Sequence, residues 1–341
     1  MTRNLLIDPL LRALADPTRL RIMRLLAAME LAVGELAQVL GQSQPRVSRH
    51  VKILCDAGLA ERRKEGSWVF LKIAPFAADG SSGRLSLRAA SARLLATAED
   101  EDTDFAAQCA EDRRRLAAIR AGREAASAQY FARHAGEWDE IRSLLSPDEP
   151  VEAALENLLP ASLGQLLDIG TGTGRMAQCF ASRAAHVTAL DKSPDMLRIA
   201  RTRLQDLPAG KVDLVQGDFA ALPFADGAFD TLLMHQVLHY AQAPEVVLAQ
   251  AARVARPGAR LAIVDLAAHA HEELRTTHAH ARLGFSDEQM AQWFAAAGFS
   301  ADAPVALQGG QLTVKIWTGC RLGDAVSTSN PTKVFADERQ L

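Results

Sequence analysis

The sequence predicts a multidomain protein in which an all-α N-terminal unit with one β-hairpin precedes an α/β unit. Three observations support this prediction. The first 75 residues alternate short helical segments with one β-hairpin pattern, residues 84–135 are Ala- and Arg-rich with helical periodicity, and strand–helix alternation begins near residue 151. We therefore divide the chain into residues 1–75, a helical connector and dimer contact at 76–135, a third unit at 136–321, and a polar tail at 322–341. An acidic run at residues 99–102 predicts two helices within 84–135, and an amphipathic linker that folds back on its own domain is the alternative to a dimer contact.

Composition limits the class of protein before any motif is considered. The 341 residues are 48% hydrophobic and 23% charged, as expected for a globular protein. We expect no membrane contact, because no apolar run reaches the roughly 18 residues that a span needs. The start of the chain lacks a signal-peptide pattern, and the four cysteines are scattered, so we expect a cytoplasmic protein. Residues 1–74 carry a net charge of +5, which indicates a polyanionic partner for this part.

Helix and turn signals in the first unit follow the order of a winged helix-turn-helix. A helix starts at residues 16–18 (Asp-Pro-Thr), a second covers Gly34–Gly41, and a third follows Ser43 and runs to Asp56. Alternating residues then predict a β-hairpin over Ala60–Ile73 with its turn at residues 65–67. Helix, short turn, helix and hairpin within 75 residues predict a winged helix-turn-helix that binds double-stranded DNA.

The third helix of this unit has the composition of a DNA-reading helix. Val47, Val51 and Leu54 share one face, which we expect to be buried. The residues expected to face DNA are Gln44, Arg46, Ser48, Arg49 and Lys52 on the helix, and Arg62, Arg63 and Lys64 on the wing. Such side chains reach phosphates and base edges in a major groove, whereas a solvated basic helix is the alternative interpretation.

Residues 14–26 and 30–73 closely resemble the ArsR-type winged-helix repressors. The resemblance implies a homodimer that reads an inverted repeat and leaves DNA when a ligand binds. Metal-sensing members carry cysteines where this chain has Ala32 and Gly34, so the soft-metal site of those members is not expected here.

The second half predicts a parallel sheet with crossover helices. The expected strands are Gln165–Ile169, His186–Leu190, Val212–Val215, Asp230–Met234 and Arg260–Leu266, and Leu312–Thr318 alternates like a late antiparallel edge hairpin. After the first strand, residues 168–174 (DIGTGTG) form a glycine turn that opens a helix. Asp191 ends the second strand, and Asp218 with Phe219 follows the third. The carboxylate of Asp168 suits an amino group, that of Asp191 suits ribose hydroxyls, and that of Asp218 suits an adenine amino group. Each of these residues alone is also common at turns and helix caps.

Together with residues 193–197, 222–224 and 253–265, this set resembles the class I methyltransferases that use S-adenosylmethionine, and within them the small-molecule branch that includes quinone-biosynthesis and arsenite methyltransferases. The resemblance implies a Rossmann-like fold, with S-adenosylmethionine as cofactor and S-adenosylhomocysteine as product. It places the methionyl end on Asp168, Gly170, Gly172 and Gly174, the ribose and adenine on Asp191 and Met196, and the adenine on Asp218 and Phe219.

The methyl acceptor is less well defined by the sequence. His235 and His239, which follow the fourth strand, are the candidate catalytic bases, although a histidine that fills a helix start is an equally good interpretation. The Asn-Pro-Pro-aromatic motif of nucleic-acid amino methyltransferases is absent. An arsenite methyltransferase needs a cluster of thiolates, and this half of the chain holds only Cys179 and Cys320, far apart, so a small molecule other than arsenite is favoured. Four histidines lie between His269 and His280; we assign no metal there, and Zn²⁺ or Ni²⁺ is the alternative.

Two functions are compatible with these features. In the first, a transcriptional regulator also methylates a small molecule. In the second, the same fold only senses S-adenosylmethionine or S-adenosylhomocysteine and shifts the DNA-binding equilibrium, possible targets being methionine or methyl-cycle genes.

Overall fold

The computed structural model describes residues 7–65, 67–74, 87–145, 148–308 and 312–323. The N-terminal elements are helices α1 (Ile7–Leu14), α2 (Pro17–Ala28), α3 (Val33–Leu40) and α4 (Gln44–Asp56), and strands β1 (Leu31–Ala32), β2 (Ala60–Glu65) and β3 (Trp68–Ile73). The strands form one antiparallel sheet in the order β1-β3-β2. This is the predicted winged helix-turn-helix; Gly66 of the predicted turn lies outside the described residues.

Local signals explain where these helices begin and end. The Asp16 side chain accepts a hydrogen bond from the Arg19 backbone N–H at 3.0 Å and caps α2. Gly41 ends α3 with φ +63°, a left-handed conformation that favours glycine. Val47 and Leu54 are fully buried, so the inner face of α4 is the predicted one.

The connector consists of helices α5 (Leu87–Glu101) and α6 (Thr103–His134), which fold back onto the winged helix. Leu95 and Leu116 belong to its hydrophobic core. Most of the acidic run is helical, because α5 continues to Glu101. Asp102 alone lies between the two helices, and its side chain caps α6. The two helices therefore fold back on the winged helix of the same chain, which is one of the two interpretations of this segment given above.

A bidentate ion pair fastens α6 to α2. The Arg21 guanidinium donates to both carboxylate oxygens of Asp112 at 2.6 and 2.7 Å, and the Asp112 side chain is only 1% exposed. Removing one partner of such a pair leaves a buried charge uncompensated, which is costly, so this contact fixes the direction of α6.

The α/β unit begins with a 3₁₀ turn (Ala135–Glu137) and two short helices. Its helices are α7 (Trp138–Leu145), α8 (Asp148–Leu158), α9 (Arg175–Phe180), α10 (Pro194–Leu204), α11 (Pro244–Val254), α12 (Glu273–Thr277) and α13 (Asp287–Ala296), with a second 3₁₀ turn at Leu238–Tyr240. Its strands are β4 (Gly164–Ile169), β5 (Ala184–Asp191), β6 (Val212–Gln216), β7 (Phe229–His235), β8 (Ala255–Leu266), β9 (Phe299–Ala301), β10 (Val305–Gln308) and β11 (Thr313–Arg321).

The strands form one eight-stranded mixed sheet in the order β10-β11-β8-β7-β4-β5-β6, with β9 paired to β11. Strands β4 to β8 are mutually parallel, and β11 runs antiparallel to β8. The five predicted strands are confirmed, each being one to five residues longer than predicted. Because β4 has β5 on one side and β7 on the other, a crevice opens at the carboxyl ends of these strands. The residues after 323, most of the predicted tail, lie outside the described residues.

Candidate functional site

The glycine turn after β4 lies in this crevice and is held against the neighbouring strand. The backbone N–H groups of Gly170 and Thr171 donate to the Leu190 carbonyl at 2.8 and 2.9 Å. Gly170 has φ +72°, and a Cβ there would lie 2.3 Å from the Val237 side chain. Glycine is therefore required at this position by both conformation and space. Gly172 and Gly174 also adopt positive φ, and Gly174 opens α9.

Asp168 is a buried carboxylate directly below the turn. Its side chain accepts a hydrogen bond from the Thr171 hydroxyl at 2.6 Å and lines the cavity described below. Burial raises the pKa of Asp168 to about 7, and the nearby Asp191 acts in the same direction. A buried carboxylate with a single side-chain donor favours a cation that reaches it.

Asp191 and Asp218 stand at the ends of the next two strands. One Asp191 oxygen accepts from the Gly172 backbone N–H and the other from that of Ser193, both at 2.8 Å. Burial raises the pKa of Asp191. Burial also acts to raise the pKa of Asp218, but the Lys192 ammonium at 2.8 Å outweighs it, so that pKa is lowered. The three predicted carboxylates therefore share one crevice in different environments.

One cavity of about 1180 Å³ joins these groups. Each predicted cofactor position except Gly174 lines it, and Met196 is buried against Trp138. Four aromatic side chains that the sequence analysis missed form one wall: Tyr130, Phe131, Trp138 and Tyr240. The Phe131 ring lies 4.8 Å from Tyr240 and 5.2 Å from Trp138 between centroids. Three aromatics within nine residues, in a chain with 5% aromatics, were the available signal.

The two predicted catalytic histidines occupy different places. His235 lines the cavity, whereas His239 does not line it and is 1% exposed. His239 Nδ1 lies 2.7 Å from Asp265 Oδ1, and its ring packs 4.2 Å from that of His280. The interpretation of His239 as a candidate base is therefore corrected, because its ring does not line the cavity. His280 was missed: it lines the cavity, its two ring nitrogens lack partners among the described residues, and burial lowers its pKa.

The remaining histidines of the segment 269–280 make separate contacts. His271 Nδ1 lies 2.9 Å from Glu273, and His278 Nδ1 lies 2.9 Å from the Tyr130 hydroxyl. Burial lowers the pKa of His269 to about 4. Within the described ranges, no three His, Cys, Asp or Glu side chains are arranged to hold a metal ion.

The predicted DNA-facing side chains of α4 share one exposed face. Gln44, Arg46, Ser48, Arg49 and Lys52 are all exposed. Lys52 pairs with Asp56 at 2.9 Å, an exposed pair of little energetic weight. Across the part of the chain that the structure describes, Arg46 and Arg49 have no ion-pair partner, so both charges are available to a polyanion.

On the wing, the three predicted basic residues do not act together. Arg62 and Lys64 are exposed, but Arg63 alternates to the other face of β2. Its guanidinium pairs with Glu30 at 3.0 Å and Glu65 at 2.7 Å. We therefore correct the sequence prediction for Arg63: it belongs to an interdomain ion-pair cluster and not to the exposed basic surface.

That cluster joins the wing to the α/β unit. Glu65 is buried, pairs with Arg275 at 2.9 Å and accepts a hydrogen bond from the Leu283 backbone N–H at 2.8 Å. Burial acts to raise the pKa of Glu65, but Arg282 and Arg63 outweigh it and lower that pKa. Arg275 and Arg282 also lie over the rings of Trp68 and Phe70, with 4.5 and 4.2 Å to the centroids. Trp68 and Phe70 line the cavity, so its far end is formed by the winged helix.

Family models match both parts of the chain. Residues 16–62 match the model described as bacterial regulatory protein, arsR family, and residues 167–263 match a methyltransferase domain. The chain therefore contains a segment that matches the arsR-family regulators, followed by a segment that matches methyltransferase domains. Within the described residues, none of the helices is both long and apolar enough to cross a bilayer.

Curated relatives align with the methyltransferase domain. The ubiquinone/menaquinone biosynthesis C-methyltransferase of Roseobacter denitrificans is 38% identical over 117 residues, which are 33% of this chain and 47% of that enzyme. An O-methyltransferase of Aspergillus nomiae is 33% identical over 143 residues, 39% of this chain and 62% of that enzyme. The chain thus spans about half the length of the curated relatives it matches. Among solved structures, the 1,6-didemethyltoxoflavin-N1-methyltransferase of Burkholderia thailandensis is 20% identical in sequence, with a TM-score of 0.46. The superposition covers 59% of this chain and 90% of that enzyme.

Proposed function

We propose that this protein is a DNA-binding transcriptional regulator whose methyltransferase domain transfers a methyl group from S-adenosylmethionine to a small molecule. The observation that carries the proposal is the single cavity that contains the glycine turn, the three strand-end carboxylates and an aromatic wall. Its volume exceeds the roughly 300–1,000 Å³ of a site for one ligand, so it has room for a donor and an acceptor. The arsR-family match and the exposed Arg46 and Arg49 support DNA binding, and we propose that a homodimer binds the DNA.

The residues of the crevice fit the donor. Asp168 offers a buried carboxylate to its cationic amino end, Asp191 lies where ribose hydroxyls would reach it, and Asp218 with Phe219 offers an acceptor and a ring to the adenine. The bound donor would supply an electrophilic methyl group on a sulfonium. The protein contributes chiefly the position of the nucleophile, together with a base where the nucleophile carries a proton. His235, on the cavity wall, is the candidate base that this geometry supports best, whereas the lowered pKa of His280 makes it a poor proton acceptor.

Calorimetry with S-adenosylhomocysteine tests the donor site. The expected result is one site per chain, weakened by Asp168→Asn while the circular dichroism spectrum is retained. Transfer of a labelled methyl group into small-molecule fractions would then test catalysis. Saturable binding in the wild type that is clearly weaker in a correctly folded Asp168→Asn protein supports the assignment, and absence of binding in the wild type refutes it.

A second function is a sensor that does not catalyse, and the docking of the wing on the methyltransferase domain favours it. Glu65, Arg275 and Arg282 connect the cavity wall to the DNA-binding hairpin, so a ligand that moves this wall would also move the wing. The test is titration of a selected inverted-repeat DNA with the free protein and with saturating S-adenosylmethionine or its product. A change in operator affinity that Glu65→Gln abolishes supports coupling, and equal affinities in all three states refute it.

A further inference from the structure

The far end of the cavity differs chemically from the donor end. It lies at the junction of the two domains, where helix α6 of the connector faces the methyltransferase segment that contains His280 and Arg282. Four arginines line this end of the cavity (Arg120, Arg123, Arg275 and Arg282), and among the described residues three of them have a close acidic partner. Arg123 pairs with Glu35 at 2.6 Å, and Arg282 pairs with Glu30 at 3.2 Å.

Arg120 is the exception. It lines the cavity, and its Nε is buried without a hydrogen-bond partner in the described part of the chain. Burial lowers the pKa of Arg120, although Glu35 and Glu245 act to raise it. Arg120 is half-buried, and a buried N–H of a guanidinium without a partner is costly, so an anion in the cavity that accepted from it would remove that cost.

The two acids near Arg120 do not satisfy it. The Glu35 carboxylate is already engaged by Arg123 and by the Ala32 backbone N–H at 2.8 Å. Glu245 does not line the cavity, and burial raises its pKa, which favours the neutral acid. Among the described residues, neither carboxylate lies within ion-pair distance of Arg120.

Helix α6 also gives the distance between this charge and the aromatic wall. Arg120 and Phe131 are eleven residues apart, close to three full turns, so they lie on one face of the helix with Cα atoms about 16 Å apart. Glu124 and Ser127 lie between them on the same face and also line the cavity. A molecule that reaches both ends must therefore be elongated.

We propose that the methyl acceptor is an elongated aromatic carboxylate whose ring packs against Phe131 and Tyr240 and whose carboxylate pairs with Arg120. This inference rests on the proposed methyltransferase function and names its substrate class. Ring packing and a charge-assisted hydrogen bond act at opposite ends of the ligand, so both length and charge determine its affinity.

Matched probes test the two parts of this inference. Benzoate, biphenyl-4-carboxylate and stilbene-4-carboxylate, each beside its neutral amide, are titrated by calorimetry into the full-length protein saturated with S-adenosylhomocysteine. We expect at least one of the two longer carboxylates to bind about 10- to 100-fold more tightly than its amide, and more tightly than benzoate. Arg120→Gln should remove the preference for the carboxylate. Arg114→Gln should keep it, because this arginine lies on the same helix but is 74% exposed and paired with Glu111.

The outcomes separate this inference from the proposed function. Suppose that the protein binds S-adenosylhomocysteine but binds each carboxylate no more tightly than its amide, or binds no probe at all. That result overturns the acceptor class and leaves the donor site intact. A carboxylate preference that survives Arg120→Gln also overturns it. Without binding of S-adenosylhomocysteine the proposed function fails, and titration of the ligand-free protein then decides whether the Arg120 site exists independently.

Discussion

The raised pKa of Asp168 predicts a specific pH dependence of donor-site affinity. The carboxyl group is fully buried in the free protein, and its pKa is raised to about 7. Only the ionised form attracts a cationic amino group, so binding must release the proton that the free carboxyl holds. Because the pKa of Asp168 falls on binding, affinity rises as pH increases through 7.

The size of the effect follows from the occupancy of that proton. At pH 6 about nine tenths of the free carboxyl is protonated, and at pH 7.5 about one quarter. The apparent dissociation constant should therefore fall about eightfold over this interval. At pH 7 about half a proton should leave per ligand bound.

Calorimetric titration with S-adenosylhomocysteine in two buffers of different ionisation enthalpy measures both quantities. Asp168→Asn is the matched control, because it keeps the shape but cannot ionise. The variant should bind more weakly and lose most of the rise with pH; burial also raises the pKa of Asp191, which leaves a smaller rise of the same sign. An equally steep rise in a correctly folded variant would show that Asp168 is not the group that titrates.

Three further changes have defined outcomes. Arg49→Ala should weaken DNA binding similarly on all sequences and reduce the slope of log affinity against log salt by about 0.9, as measured by fluorescence anisotropy; an unchanged slope would mean that Arg49 contacts no phosphate. Asp112→Ala should lower the free energy of unfolding by about 3 kcal/mol in denaturant titrations, since it leaves Arg21 without its buried partner, and a loss under 1 kcal/mol would contradict that role. Gly170→Ala should abolish binding of S-adenosylhomocysteine or unfold the domain, because its Cβ would overlap Val237 and its φ is positive; normal affinity and melting temperature would show that the turn adapts.

Elements with local signals could be predicted from the sequence. The cap at Asp16, the glycine at 41 and the apolar spacing of Val47 and Leu54 are all properties of a few neighbouring residues, and the winged helix followed from them. The parallel sheet followed in the same way from runs of apolar residues between glycine turns. Since parallel strands place their carboxyl ends at one edge, the convergence of the three carboxylates was also predictable.

Features that depend on docking between distant segments could not be predicted. The orientation of Arg63 depends on Glu30 and on the approach of the methyltransferase domain, and nothing in the hairpin sequence records either. Tyr130 and Trp138 enter the cavity only because α6 is long enough to cross from one domain to the other. The exclusion of His239 from the cavity likewise depends on the segment 278–282 folding over it.

The most direct test of the donor site pairs two measurements on one variant, Asp191→Ala. Asp191 accepts a hydrogen bond from Gly172 in the glycine turn and is the residue that we propose to hold the ribose, but it lies far in sequence from α4. We expect the wild type to bind one S-adenosylhomocysteine per chain. The variant should lose this binding and keep wild-type affinity for operator DNA in the absence of ligand. Wild-type ligand affinity in the variant would contradict the assignment of the crevice as the donor site.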